Sequence, residues 1–168
     1  MLRGTTKLQK ACWAAFLLYL IALLYYTIFA ESLGRRGAGD GAEARYNLVL
    51  FNEIRRFWVY RDKLGMRAFV LNVVGNIVAF IPSGFLLPAI SRRCRRLPGI
   101  VLVGFSISFL IECTQLVFRV GSFDVDDLLL NTIGVILGFF INRFLRRWRW
   151  KRQMAKEQRK IKIREIDT

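Results

Sequence analysis

The chain has 168 residues, of which 54% are hydrophobic, and its formal net charge is +15. Its length predicts one domain. A soluble nucleic-acid-binding protein could be this basic, but it would not normally be this apolar. Lys and Arg cluster between and after long apolar runs, which is typical of integral membrane proteins. The absence of histidine excludes Ser-His-Asp triads and imidazole metal ligands. The isolated Cys12, Cys94 and Cys113 have no disulfide or zinc-site spacing.

Four apolar segments are long enough to cross a bilayer, which requires about 20 residues of helix. They cover residues 11–30, 69–90, 97–118 and 125–144. The first is longer than the apolar core of a signal peptide and no A-x-A cleavage site follows it, so we expect a retained anchor. The predicted fold is an all-α membrane bundle of four transmembrane helices.

The loop after the first segment contains apolar residues at helical spacing. Leu50, Ile54, Phe57 and Trp58 recur in this way with arginines nearby, which predicts an interfacial helix on the membrane surface. A partly ordered lid packed on the bundle is an equally good interpretation.

The distribution of Lys and Arg predicts the orientation of the chain. With the N-terminus inside, the inner segments contain 18 of these residues and the outer segments contain 9. Both termini are therefore predicted to be cytoplasmic. The basic tail, residues 146–168, starts with Trp148 and Trp150. We interpret it as an anchor in anionic headgroups rather than as a nucleic-acid-binding segment.

Polar and small residues form a stripe on each of the last three apolar segments. The stripes contain Asn72, Asn76 and Ser83 on the second segment, Ser108, Glu112, Gln115 and Arg119 on the third, and Asp127, Asn131, Gly134 and Gly138 on the fourth. Helical spacing places each set on one face. We therefore expect the polar groups to converge in the extracytoplasmic half of the bundle.

The residues that open the fourth segment have a structural interpretation. Asp124 or Ser122 suits a helix N-cap, and Asp126 and Asp127 suit the first turn, where the helix dipole favours anions. This interpretation does not explain why Asp127 continues into the stripe that contains Asn131. Farther along, the small-residue pair Gly134 and Gly138 predicts a close approach of two helices.

Glu112 is the strongest functional candidate. A charged carboxylate at that depth costs several kcal/mol unless it is paired, hydrated or protonated. Arg119, on the same helical face, could neutralise Glu112 or one of the aspartates. For Asn76, Gln115 and Asn131, hydrogen bonding between helices and a functional role are about equally good interpretations.

Four pieces of the chain carry a joint set of motifs. They are NLVLFNEI (47–54), NVVGNIVAFIPSGFLLP (72–88), SFLIECTQL (108–116) and DVDDLLLNTIGVILG (124–138). Together they resemble the VanZ-like family of small bacterial membrane proteins, with departures at Leu50 and Ser83. The matching motif residues are Asn76, Pro82, Gly84, Glu112, Gln115, Asp124, Asp127, Asn131 and Gly134. The resemblance covers most of residues 47–138 and implies a VanZ-like transmembrane domain over residues 1–145. It implies a link to resistance to the glycopeptide teicoplanin, as for the founding member.

Three functions are compatible with these residues. The first is a cell-envelope protein whose outward-facing polar pocket binds a lipid headgroup, a lipid-linked envelope precursor or a glycopeptide-related ligand. Arg119 would contact an anionic group there, and Asn76, Gln115 and Asn131 would supply hydrogen bonds. The second is an intramembrane enzyme, with Glu112 as general base and Asp124 and Asp127 as acid or divalent-ion ligands.

The third function is structural or partner-binding, with the polar stripes acting as contacts between helices. No dedicated nucleophile or complete metal-ligand set is visible, so we expect no cofactor and no bound metal. The expected partners are the lipids of a bacterial cell membrane, and no nucleic acid.

Overall fold

The computed structural model describes residues 7–34, 46–60, 62, 66–118 and 122–166. These residues form five α-helices, which are α1 (Lys7–Gly34), α2 (Asn52–Val59), α3 (Met66–Ile90), α4 (Leu97–Phe118) and α5 (Val125–Ile166). Two short strands, β1 (Tyr46–Asn47) and β2 (Phe123–Asp124), pair in parallel. A single 3-10 turn, Arg93–Arg95, connects α3 to α4.

Within the described residues, four helices are long and apolar enough to cross a membrane. Their candidate spans are Gln9–Thr27, Phe69–Ile90, Leu97–Phe118 and Val125–Arg159. The predicted bundle of four transmembrane helices is therefore confirmed. α5 is one unbroken helix that continues past the apolar run into the basic segment. The division into a membrane domain and a tail near residue 145 stays a prediction.

Glycines bring α3 and α5 into backbone contact. A Cβ added at Gly134 would lie 2.1 Å from the carbonyl oxygen of Ile77, and one at Gly138 would lie 2.1 Å from that of Ile81. No side chain fits at these distances, so the predicted close approach is confirmed. Close approach through small residues is a common way for helices to associate in a bilayer.

α1 packs against α3 through polar as well as apolar contacts. The Tyr19 hydroxyl donates a hydrogen bond to the carbonyl oxygen of Ala79 at 2.7 Å and accepts one from Ser83 at 3.1 Å. Near the start of α1, Gln9 donates to the carbonyl oxygen of Ile90 at 2.9 Å. Ser83, one of the departures from the family pattern, is thus buried against the hydroxyl of an α1 tyrosine.

The two ends of the bundle differ in charge. At one end α3 and α5 begin and α4 finishes, and α2, β1 and β2 lie there with Glu112 and the three aspartates of 124–127. We call this the acidic end. At the other, the basic end, α3 finishes, the Arg93–Arg95 turn follows and α5 passes Arg143. The sequence predicts that the acidic end faces outward.

Candidate functional site: the acidic end of the bundle

Asp124 connects the two short strands to the start of α5. In the parallel β1–β2 pair Asn47 is the partner of Asp124, and its Nδ2 donates a hydrogen bond to Asp124 Oδ1 at 3.1 Å. The same oxygen accepts the backbone N–H of Asp126 at 2.8 Å. An acceptor just before a helix that bonds an N–H of its first turn is an N-cap. Of the two predicted N-cap candidates, Asp124 and Ser122, the structure has Asp124 in this role.

Asp126 caps a different helix. Its carboxylate accepts the backbone N–H groups of Phe51 at 2.5 Å, Glu53 at 2.9 Å and Ile54 at 3.2 Å, at the N-terminus of α2. α2 has no side-chain cap of its own, because Phe51 occupies the N-cap position with a left-handed φ of 65°. Asp126 is only 1% exposed. A buried carboxylate thus satisfies N–H groups that α2 cannot satisfy itself.

The sequence did not predict this role of Asp126. It predicted only that Asp126 lies in the first turn of α5. The first-turn position is correct. The feature that could have predicted it is the N-cap position of α2, because Phe51 there has a side chain that cannot accept a hydrogen bond. A helix that starts in this way needs an acceptor from elsewhere in the fold.

Glu112 lies under the β2 strand. It is 3% exposed, and its Oε2 accepts the backbone N–H of Asp124 at 3.0 Å. Gln115 is buried one turn farther along α4. Arg119, the predicted partner of Glu112, lies outside the described residues. The structure therefore places Glu112 as an acceptor for the backbone at the start of α5.

Two amide side chains join the helices below the aspartates. Asn76 on α3 donates a hydrogen bond to Asp127 Oδ1 on α5 at 2.5 Å. Asn131, one turn deeper on α5, donates to the Ser108 hydroxyl on α4 at 2.9 Å. The three predicted stripes therefore come together through these pairs. Among buried side-chain atoms of the described residues, Asn131 Oδ1 is without a hydrogen-bond partner.

A small cleft opens between α2, α3 and α5, and we call it the acidic cleft. Its described lining includes four carboxylate side chains and one amide: Glu53, Asp124, Asp126, Asp127 and Asn72. Its volume is about 20 Å³. That is room for about one water-sized group. No cationic side chain is among the described residues that line it.

α2 forms one wall of the acidic cleft and is attached to the bundle. The Trp58 ring packs edge-on against Phe69 of α3, with ring centroids 5.6 Å apart. On the same helix, Arg56 forms an ion pair with Glu53 at 3.0 Å. A helix thus forms where the sequence predicted an interfacial segment, and Trp58 is more than half exposed. The contact of α2 with α3 and the capping of α2 by a residue of α5 also agree with the lid interpretation.

The described residues do not assemble a metal-ligand set. No three acidic or cysteine side chains among them are arranged to hold a metal ion. The use of Asp124 and Asp127 as ligands for a divalent ion therefore gains no geometric support. Their carboxylates accept hydrogen bonds that include those from Asn47, the Asp126 backbone and Asn76.

Comparison with known proteins agrees with the motifs. The family model described as VanZ/LLP1 matches residues 16–146. The chain belongs to the VanZ/LLP1 family. It is 27% identical over 121 residues to Protein VanZ of Enterococcus faecium, and the match covers 72% of this chain but 66% of that relative's length. No solved structure matches this chain. Family membership and the four candidate spans together make it a multi-pass membrane protein. The matched range contains the whole acidic end.

Proposed function

We propose that this chain is a VanZ-like cell-envelope protein that contributes to teicoplanin resistance through the acidic cleft. The family match and the VanZ-named relative support the resistance role. The observation that carries the cleft's part is the convergence of four carboxylate side chains on one small opening. The Lys and Arg count predicts that this end faces outward, which is where cell-envelope precursors are accessible to such a protein.

The chemistry of the lining selects the kind of ligand group. An ionised carboxylate only accepts hydrogen bonds. A group that binds between these side chains must therefore donate, as a protonated amine or a hydroxyl does. Because the volume of the cleft is about 20 Å³, it receives a single small group at the tip of a lipid or envelope-precursor headgroup. The rest of the headgroup would lie outside the cleft, over α2.

The cleft is also well ordered by its own backbone contacts. Asp126 is fixed by three N–H donors of α2, and Asp124 by Asn47 and the start of α5. Acceptors held in place before a ligand arrives lose little entropy on binding. The same contacts favour a second candidate, a purely structural role, because each of these aspartates also holds an element of the fold.

The enzyme hypothesis receives less support. A general base must come within hydrogen-bond reach of the proton that it removes. Glu112 is 3% exposed and its Oε2 accepts a backbone N–H of β2. This geometry favours a positioning role for Glu112 beneath the cleft over direct contact with a substrate.

The test is teicoplanin susceptibility of a glycopeptide-sensitive Gram-positive host that expresses the wild type, Asp127→Asn or Asp62→Asn. We expect the wild type to raise the inhibitory concentration and Asp127→Asn to abolish the increase. The substituted amide keeps an oxygen for the Asn76 hydrogen bond but removes the charge at the cleft. Asp62→Asn removes a charge from the segment between α2 and α3, at the same end of the bundle, without altering the described cleft lining, so it should behave as wild type.

The outcomes separate the candidate functions. No increase with the wild type would refute the resistance role. An increase that Asp127→Asn leaves intact, at equal membrane levels, would refute the cleft as its site. Loss of resistance together with a lower melting temperature of purified Asp127→Asn would favour the structural candidate.

A further inference from the structure

The basic end contains a second and larger cavity, which we call the arginine pocket. It lies between the end of α3, the turn before α4 and the part of α5 that follows the apolar run. Its volume is about 240 Å³, against about 20 Å³ for the acidic cleft. Four arginines line it: Arg95, Arg143, Arg146 and Arg147. We propose that this pocket binds the phosphate group of an anionic phospholipid headgroup.

The placement of the arginines follows from the fold. Arg143, Arg146 and Arg147 have the i, i+3, i+4 spacing that puts side chains on one face of α5. Arg95 comes from the short turn between α3 and α4 and faces them across the pocket. Its Nε donates a hydrogen bond to the carbonyl oxygen of Pro88 at 3.1 Å. That contact fixes the side chain and uses one of its five N–H donors.

The floor of the pocket is buried and mostly apolar. Pro88 and Phe139 are buried there, and Asn142 is 9% exposed. Asn142 donates a hydrogen bond from Nδ2 to the carbonyl oxygen of Phe85 at 2.7 Å, across the α3–α5 contact. The base of the pocket is therefore part of the packed bundle, while the arginines form its rim.

Charge is the main argument for an anionic ligand. Four guanidinium groups around one cavity repel one another, and no carboxylate is among the described residues that line it. An anion in the cavity would relieve that repulsion. Guanidinium groups bind phosphate through two parallel N–H donors, which suits a rim of arginines better than a rim of lysines.

Depth in the membrane selects a lipid as the source of the phosphate. The pocket lies where the apolar part of α5 gives way to the basic segment, and Trp148 and Trp150 follow it directly, both exposed. Tryptophan at the end of a spanning helix is typical of the headgroup level of a bilayer. The phosphates of anionic lipids lie at that level, and basic pockets between membrane helices bind such headgroups.

The test measures lipid binding to the full chain in detergent. Purified wild type is titrated with phosphatidylglycerol or phosphatidylcholine in mixed micelles, and separately with inorganic phosphate. The readouts are the melting temperature and the number of retained phosphatidylglycerol molecules by native mass spectrometry. The pocket variant is Arg143→Gln with Arg147→Gln. The matched control is Arg152→Gln with Arg159→Gln, since helical periodicity places both on the opposite side of α5.

We expect phosphatidylglycerol to raise the melting temperature of the wild type and of the control, and phosphatidylcholine to leave it unchanged. The pocket variant should bind phosphatidylglycerol about 30-fold more weakly, which corresponds to about 1 kcal/mol for each of the two charges. Equal weakening in the control would show a diffuse charge effect and overturn the proposal. Equal stabilisation by phosphatidylcholine would also overturn it. Stabilisation by inorganic phosphate alone, without lipid selectivity, would make this a site for soluble phosphate instead.

Discussion

Removal of the Asp126 carboxylate should detach α2 from the bundle while the spanning helices stay folded. Asp126→Ala deletes the acceptor for three backbone N–H groups at the start of α2. Those groups have no side-chain cap within α2 to replace it. α2 is eight residues long, which is too short to be stable by itself. We therefore expect local opening of the acidic end.

The size of the effect follows from the contacts. A hydrogen bond to a charged acceptor contributes about 1.5–3 kcal/mol. Taking the lower value for each of the three bonds gives about 4.5 kcal/mol. The left-handed conformation of Phe51 is strained in the wild type and in the variant alike, so it does not change this difference. About 4.5 kcal/mol corresponds to roughly a 2,000-fold larger open population of α2.

Hydrogen exchange of the purified protein in detergent measures that population. In Asp126→Ala, the amides of Phe51, Glu53 and Ile54 should exchange about 2,000-fold faster than in the wild type. Asp126→Asn keeps one acceptor oxygen and should fall between the two. Amides in the middle of α3 should exchange at the wild-type rate in every variant, because Asp126 does not hold that helix.

The adjacent residue supplies the control. Asp127→Asn changes a neighbouring carboxylate that bonds Asn76 rather than the N–H groups of α2. It should leave α2 exchange unchanged. Wild-type exchange of the α2 amides in Asp126→Ala would refute the assignment of Asp126 as the cap of α2.

Three further predictions concern the packing of the bundle. A Cβ at Gly134 would lie 2.1 Å from an α3 carbonyl oxygen, so Gly134→Ala should lower the free energy of unfolding in detergent by about 1–3 kcal/mol. Gly75→Ala, with open space around its Cβ, should leave it unchanged, and equal effects of the two substitutions would contradict the close contact. Burial raises the pKa of the Cys94 thiol, so less of the reactive thiolate is present at neutral pH. Maleimide should therefore label Cys94 slowly in the native protein and quickly after unfolding, and fast labelling of the native protein would contradict its burial. Ser108→Ala removes the hydrogen-bond partner of Asn131 and should lower the free energy of unfolding by about 1–3 kcal/mol. The double variant Ser108→Ala with Asn131→Leu should be nearly as stable as the wild type, and additive losses of stability in the double-mutant cycle would contradict this pairing.

The membrane fold could be predicted from the sequence because its signals are local. Apolar length fixes the candidate spans, and the structure places the ends of α3 and α4 close to the predicted limits. The Gly134–Gly138 spacing likewise predicted a backbone contact. Neither prediction depends on knowing which residues that are far apart in the sequence contact each other.

The details of the acidic end could be predicted only in part, because they depend on long-range contacts. Helical spacing correctly grouped Asn76, Asp127 and Asn131, since residues on facing stripes have few other partners in a small bundle. The cap from Asp126 to α2 joins residues more than 70 positions apart, and nothing near Asp126 signals it. The arginine pocket was likewise invisible, because Arg95 and the α5 arginines come together only through the α3–α5 contact.

We propose that the acidic cleft acts in resistance, beyond holding the fold together. The teicoplanin inhibitory concentration tests this with wild type and with Asp127→Asn, at matched membrane levels and with equal melting temperatures. We expect the wild type to raise this concentration over the empty vector and Asp127→Asn not to raise it. An increase of the same size with both would show that the cleft does not act in resistance.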